Sequence, residues 1–267
     1  MKLRCLYTDL DGTLLGAGAS LLRDGDGGFS LLGVRALEAC FRADVEVVLY
    51  SGRRRAMLFD DARLLGVGSY AFEAGAGLVV DGETTWLTGE LQPTEDATVH
   101  DQIAASGAPA LLLRHFAGRL EYHEPWHTGR EVSHLFRGAV DVAAAAALLE
   151  EHGLGHLRLL DNGAVRRRSP TLAVERPHAY HLVPRAASKA AAIAMHMRIR
   201  GYAPEEVVAV GDSREDLGAA AVVGTFWLVA NAVARDPTLA DGRARVAEGA
   251  HGAGVYEAVV TELAERR

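Results

Sequence analysis

The sequence predicts an α/β fold: a Rossmann-like parallel sheet with helices on both faces, interrupted by an inserted α+β cap domain. Three observations carry this. Short apolar runs at 3–8, 45–50, 69–73 and 206–211 alternate with helix-periodic segments, the order that parallel strands with crossover helices require. The first, second and last of these runs end on Asp9, Ser51 and Asp212, polar residues where an open parallel sheet presents its ligand crevice. The alternation breaks near residue 82 and resumes after Pro184. The core is therefore expected over 1–81 and 185–267, with the insert at 82–184.

The elements follow in order. Residues 3–8 read as a buried strand stopped by Asp9-Leu10-Asp11-Gly12, and 16–28 as a Gly-rich loop with Asp24 and Asp26. Residues 30–42 repeat apolar side chains at Leu31, Val34, Leu37 and Phe41, which predicts a helix. A strand at 45–50, a helix at 54–65 and a strand at 69–73 continue the alternation, and 78–87 reads as a hairpin around Asp81-Gly82. Within the insert, 94–106 and 139–152 are expected as helices and 110–123, 130–137, 156–161 and 172–182 as strands. The core pattern then returns: a helix at 188–200, a strand at 206–211, a helix at 214–222 and a strand at 225–230.

With 267 residues and 49% hydrophobic composition, the chain is long enough and apolar enough to bury a core. Its net charge of −7 argues against a nucleic-acid partner, which needs a basic face. No run of about 18 apolar residues suits a membrane span, and Asp9 comes too early for a signal-peptide apolar region. Cys5 and Cys40, the only cysteines, read as buried thiols in a reducing, cytoplasmic setting. The expected assembly is a monomer or homodimer. Lys2 and Lys189 are the only lysines in a chain whose other fixed cations are all Arg, which singles out Lys189 at a helix start.

Four strand-end or helix-start features converge on one crevice: Asp9 with Asp11, Ser51, Lys189, and Asp212 with Asp216. Carboxylates facing one another need a cation, and an all-oxygen set points to Mg²⁺. Asp9-Leu10-Asp11-Gly12-Thr13 matches the first signature of the haloacid dehalogenase superfamily. Leu49-Tyr50-Ser51-Gly52-Arg53 resembles its second, Lys189 its third, and Gly211-Asp212-Ser213-Arg214-Glu215-Asp216 its fourth. The long insert between the second and third resembles the branch with an α/β cap, subclass IIB, which includes Cof-type, sucrose-phosphatase-like and mannosyl-3-phosphoglycerate-phosphatase-like proteins.

The resemblance implies a Mg²⁺-dependent phosphomonoesterase with Asp9 as nucleophile and Asp11 as acid and base. It implies Ser51 and Lys189 on the phosphoryl group, and Asp9, Asp11, Asp212, Ser213 and Asp216 in or around the metal site. Gly12 permits the tight turn between the two aspartates, and Gly52 and Arg53 are candidates for the substrate side of the site, with Arg53 touching either substrate or only solvent. The implied substrate is a small phosphorylated metabolite, with a sugar phosphate or phosphoglycerate-linked sugar favoured. A phosphotransferase or phosphomutase using the same Asp, a nucleotide or specialised-metabolite phosphatase, and a non-catalytic binding protein are the alternatives. Asp11 argues against dehalogenation, because dehalogenases of the superfamily lack that second Asp.

Two positions depart from the family pattern. Glu215 stands where Asn is usual and either tightens metal binding or points to solvent, the second being preferred. Ala74, in Glu73-Ala74-Gly75-Ala76, replaces an Asn. In the insert, Arg130, His134 and Arg137 are candidates for an anionic group remote from the phosphate, with a solvated cap surface as the competing reading. Glu121-Tyr122-His123-Glu124-Pro125-Trp126-His127 faces either the crevice or solvent, and the Arg166–Arg168 run reads as a solvated turn. No compact set such as His-Glu-x-x-His is present among the insert's histidines, His123 and His181 included, which argues against zinc.

Overall fold

A computed structural model describes residues 2–165 and 171–266. The Arg166–Arg168 run lies outside the described residues. The core begins with β1 (Cys5–Thr8), α1 (Leu32–Arg42), β2 (Glu46–Tyr50), α2 (Arg55–Leu65), β3 (Ser69–Phe72) and the hairpin β4 (Gly77–Val80) and β5 (Glu83–Trp86). The insert contributes α3 (Val99–Ala105), α4 (Ala108–His115), β6 (Leu120–Tyr122), β7 (His134–Gly138), α5 (Val142–Glu151), β8 (Leu157–Ala164) and β9 (His178–Pro184). The chain returns through α6 (Lys189–Arg200), β10 (Val207–Gly211), α7 (Arg214–Leu217), β11 (Thr225–Leu228), α8 (Ala230–Arg235), β12 (Arg245–Val246) and α9 (Gly252–Glu265).

The core sheet runs β12-β11-β10-β1-β2-β3-β4-β5. Its six strands from β12 to β3 are mutually parallel, and the β4–β5 hairpin closes the edge antiparallel. Such strands are covered on both faces, so they are apolar throughout rather than alternating: every residue of β1, β3 and β10 is buried. Helices α1 and α9 pack together against the sheet, and α6 lies near β4. Asp81 and Gly82, at φ +50° and +88°, make the two-residue turn joining β4 to β5.

The insert forms its own antiparallel sheet, β6-β7-β9-β8, over a second apolar cluster that includes Val99, Leu112, Phe136, Leu149 and Leu182. Two expectations need correction. Strand β5 is hydrogen-bonded to β4 in the core sheet, so the segment beginning at 82 starts in the core and leaves it only after Trp86. Residues 110–115 are helical, not extended: Pro109 occupies the first turn of α4, and Arg114 and His115 the last, the ends a helix favours. A short apolar run does not distinguish buried helix from buried strand by periodicity.

Candidate active site

Asp9 directly follows β1 and is 4% exposed. Asp212 follows the neighbouring strand β10; Thr8 pairs with Val210, so Asp9 and Asp212 leave adjacent strand ends offset by one residue. Lys189 opens α6, which Ser188 caps through Ala191 N. Its Nζ donates to Asp9 Oδ1 at 2.8 Å and to Asp216 Oδ1 at 2.6 Å. Burial alone would drive off the Lys189 proton, but Asp216 and Asp9 outweigh it and hold the ammonium charged.

Gly12 is required here twice over. Its φ is +91°, and a Cβ would lie 2.5 Å from Asp212 Oδ2. Gly75 has a similar task, since a Cβ there would lie 2.2 Å from the Ser188 carbonyl oxygen at the start of α6.

Carboxylate oxygens of Asp9, Asp212 and Asp216 all lie within 4.8 Å of one another. Burial pushes the Asp9 and Asp212 carboxyls upward, and their carboxylate neighbours add to it; Lys189 opposes the shift at Asp9 and Arg235 at Asp212. Three buried carboxylates thus face two fixed cations, and the donor set is all oxygen. A hard divalent cation such as Mg²⁺ fits that deficit. Asp9 and Asp212 are the side chains with capacity to hold it. Asp216 spends Oδ1 on Lys189 and Oδ2 on the Asp212 and Ser213 amides and the Ser213 hydroxyl, forming a capping box at α7. Ser213 and Asp216 therefore fix the loop that carries Asp212.

Ser51 directly follows β2, 2% exposed, and its Oγ accepts from Arg53 N at 3.2 Å. Arg53 takes Asp11 in a two-point pair, Nε to Oδ2 and Nη2 to Oδ1, both at 2.7 Å. These groups line a cavity of about 330 Å³ between the two sheets. Asp9, Asp11, Ser51 and Lys189 come from the core; His123, Trp126, Arg130, Asn162 and His181 come from the insert.

The insert residues divide. Arg130 lines the cavity, but its donors tie loops together, Nη1 to Gly52 O and Ser133 Oγ at 3.0 Å and Nε to Trp126 O at 3.1 Å. His134 and Arg137 are absent from the cavity lining. His134 is 2% exposed and bonded to Tyr122 Oη and His100 O; burial and His100 push it down to about 4. The two-residue strand period turns its neighbour Leu135 to the cavity instead. Arg137 pairs with Glu121 at 2.6 Å. Glu215 points neither to metal nor to solvent: at 14% side-chain exposure it meets Arg158 of β8 at 3.3 Å, joining core to insert.

Sequence reading missed Arg235, whose Nη2 donates to Asp212 O at 2.6 Å and Oδ2 at 2.9 Å. It also missed Glu73, which is fully buried at φ +48° after β3. Glu73 accepts from the amides of Glu131, Val132 and Ser133 at 2.9, 3.2 and 2.6 Å and from Ser133 Oγ at 2.8 Å. A core carboxylate thereby clamps the insert's 131–133 loop.

No protein-family model matches the chain. It is 28% identical over 260 residues, 96% of this chain and 95% of the relative, to a phosphoglycolate phosphatase of Methanoculleus marisnigri. Its fold is similar to that of the sucrose-phosphatase of Synechocystis sp. PCC6803 (TM-score 0.67, 14% identity, 98% of both chains covered). It is also similar to that of a haloacid dehalogenase-like hydrolase from Bacteroides thetaiotaomicron (TM-score 0.63, 17% identity, 97% of this chain and 99% of that one).

Proposed function

We propose that this chain, which belongs to the α/β-capped branch of the haloacid dehalogenase superfamily and is a phosphatase, hydrolyses the phosphomonoester of a small metabolite with Mg²⁺ as cofactor. The observation that carries this is the buried junction of Asp9, Asp212 and Lys189, with Asp11 two residues beyond the nucleophile.

The Asp9 oxygen not bonded to Lys189 attacks phosphorus, and the bond from phosphorus to the ester oxygen breaks. Asp11 gives its proton to the departing oxygen, then takes one from the water that cleaves the aspartyl-phosphate. Lys189 favours the ionised form of Asp9 against its burial and adds charge beside the phosphoryl oxygens, while Ser51 donates its hydroxyl to one of them. Asp9, Asp212 and the Asp11 backbone would hold Mg²⁺, which would supply neutralisation of the phosphate charge. The insert covers the crevice, excluding macromolecular esters.

A sugar phosphate or phosphoglycerate-linked sugar suits a roofed cavity of about 330 Å³. Phosphoglycolate is the second reading, favoured by the name of the Methanoculleus marisnigri relative. The test is phosphate release from sugar phosphates, phosphoglycerates, phosphoglycolate and nucleotides, with and without Mg²⁺, using Asp9→Asn as the blank. Turnover that needs both Mg²⁺ and Asp9 supports the reading; Mg²⁺-independent turnover, or none on any ester, defeats it.

A further inference from the structure

His181 lies in β9, 1% exposed, and lines the same cavity as Asp9 and Ser51. The proton on its ring can be located by counting donors along a buried chain. Glu73 is a carboxylate and accepts only. Ser133 Oγ is 2.8 Å from Glu73 Oε2, so the single hydroxyl proton of Ser133 lies between them. The two lone pairs of that oxygen then accept from Arg130 Nη1 at 3.0 Å and from His181 Nδ1 at 3.2 Å. A hydroxyl already donating elsewhere leaves Nδ1 no role but donor. Burial, reinforced by Arg130 and Lys189, keeps the ring neutral. The remaining nitrogen, Nε2, therefore carries a lone pair, and no described residue donates to it. It points at Gly52: a Cβ built there would lie 2.8 Å from Nε2, and 3.2 Å from Asn162 Nδ2.

Beside the Ser51-Gly52 turn, the cavity thus offers a neutral acceptor in His181 Nε2, set apart from the carboxylates of Asp9, Asp11 and Asp212. Phosphoryl and carboxylate oxygens have no proton to offer it. A hydroxyl does. Resting on the phosphatase reading, we propose that His181 Nε2 accepts a hydrogen bond from a substrate hydroxyl near the ester, so the enzyme selects polyol, sugar and hydroxy-acid phosphates over phosphoglycolate. His181 is the specificity residue; Glu73 and Ser133 are positioning residues that act through its tautomer. Binding an ester without the hydroxyl leaves Nε2 buried and unpaired, the situation in which polar pockets discriminate most.

The test compares kcat/KM for glycerol 3-phosphate with that for propyl phosphate, and for 3-phosphoglycerate with that for 2-phosphoglycolate. In the wild type the hydroxylated ester of each pair should win by roughly ten- to a hundredfold. His181→Leu should collapse both ratios to about threefold or less, and His181→Gln, whose amide oxygen still accepts, should restore part of them. Long-range ¹H–¹⁵N spectra of the free protein should show His181 protonated on Nδ1, and Ser133→Ala should release that preference. Ratios near one in the wild type, ratios unchanged in His181→Leu, or a proton on Nε2 would each overturn the proposal. Absence of turnover on every ester, p-nitrophenyl phosphate included, would instead bring down the phosphatase reading and this inference with it.

Discussion

Arg53 occupies both carboxylate oxygens of Asp11 at 2.7 Å while its third nitrogen holds Asp61 Oδ2 at 2.7 Å. The acid/base residue of the proposed mechanism is thus aimed by a guanidinium that is itself anchored to α2, and must release one oxygen from that fork before it can carry a proton. The grip is geometric as well as electrostatic, because only a planar fork meets both oxygens at once. Arg53→Ala should lower kcat/KM for alkyl phosphates by about tenfold or more, since general acid catalysis contributes on the order of 10²–10⁴. Aryl phosphates, whose leaving groups need less protonation, should suffer less. Equal losses on both ester types would detach Arg53 from the proton transfer.

Asp9→Asn should abolish turnover while leaving the circular dichroism spectrum unchanged. Asn is close in shape, and Lys189 still finds Asp216 at 2.6 Å. A residual rate within tenfold of wild type would remove Asp9 as nucleophile.

Arg235 donates to both the backbone and the side chain of Asp212, so it sets the orientation of a proposed metal ligand. Arg235→Ala should weaken Mg²⁺ binding by about tenfold, the lower end of the usual cost of removing a partner of a metal ligand. Isothermal titration with Mg²⁺ alone reads this without turnover; an unchanged affinity would show Arg235 to be a surface tether.

The clustering of the core residues was legible because it is local. Asp9, Ser51 and Asp212 each close an apolar run, and a parallel sheet brings those ends together whatever the details of packing. Lys189 was legible for a different reason, its rarity among so many arginines. The insert was not legible in the same way. His134 and Arg137 look like anion ligands in one dimension, yet strand alternation and pairing with Tyr122, His100 and Glu121 commit them elsewhere. Arg235, Glu73 and His181 act across separations of 23, 60 and 48 residues to Asp212 and Ser133, and no short motif announces such contacts. The helix α4 was missed because its apolar run also suits a buried strand.

Glu46, on β2, gathers His196, Tyr202 and Arg200 around its carboxylate. Burial pushes its pKa up, but the nearby His196 ring and the Tyr202 and Arg200 donors outweigh it and bring it from 4.5 down to about 2. A depressed folded-state value means stability that is whole above pH 4.5 and is lost as pH falls toward about 2. Acid titration of the unfolding midpoint should therefore show a component in that window that Glu46→Gln removes. An unaltered acid limb in Glu46→Gln would place the sensitivity elsewhere.

Glu73→Ala should destabilise the protein by about 3–5 kcal/mol, because it strips a fully buried carboxylate from the donors gathered around it. Thermal unfolding measures this, and a loss under about 1 kcal/mol would mean that water replaces the carboxylate without strain.

The same carboxylate bears on how such enzymes diversify. Glu73 is encoded in the core, before the insert begins, yet it organises the loop on which the insert's cavity wall depends. The insert is therefore not a freely exchangeable module. A chimera carrying residues 87–184 on a foreign core would keep its own sheet, but would need a carboxylate grafted just past the third strand to shape its substrate wall. Transfer of this chain's insert should accordingly carry the short core turn with it, and breakpoints placed between the two should yield a folded but unselective protein.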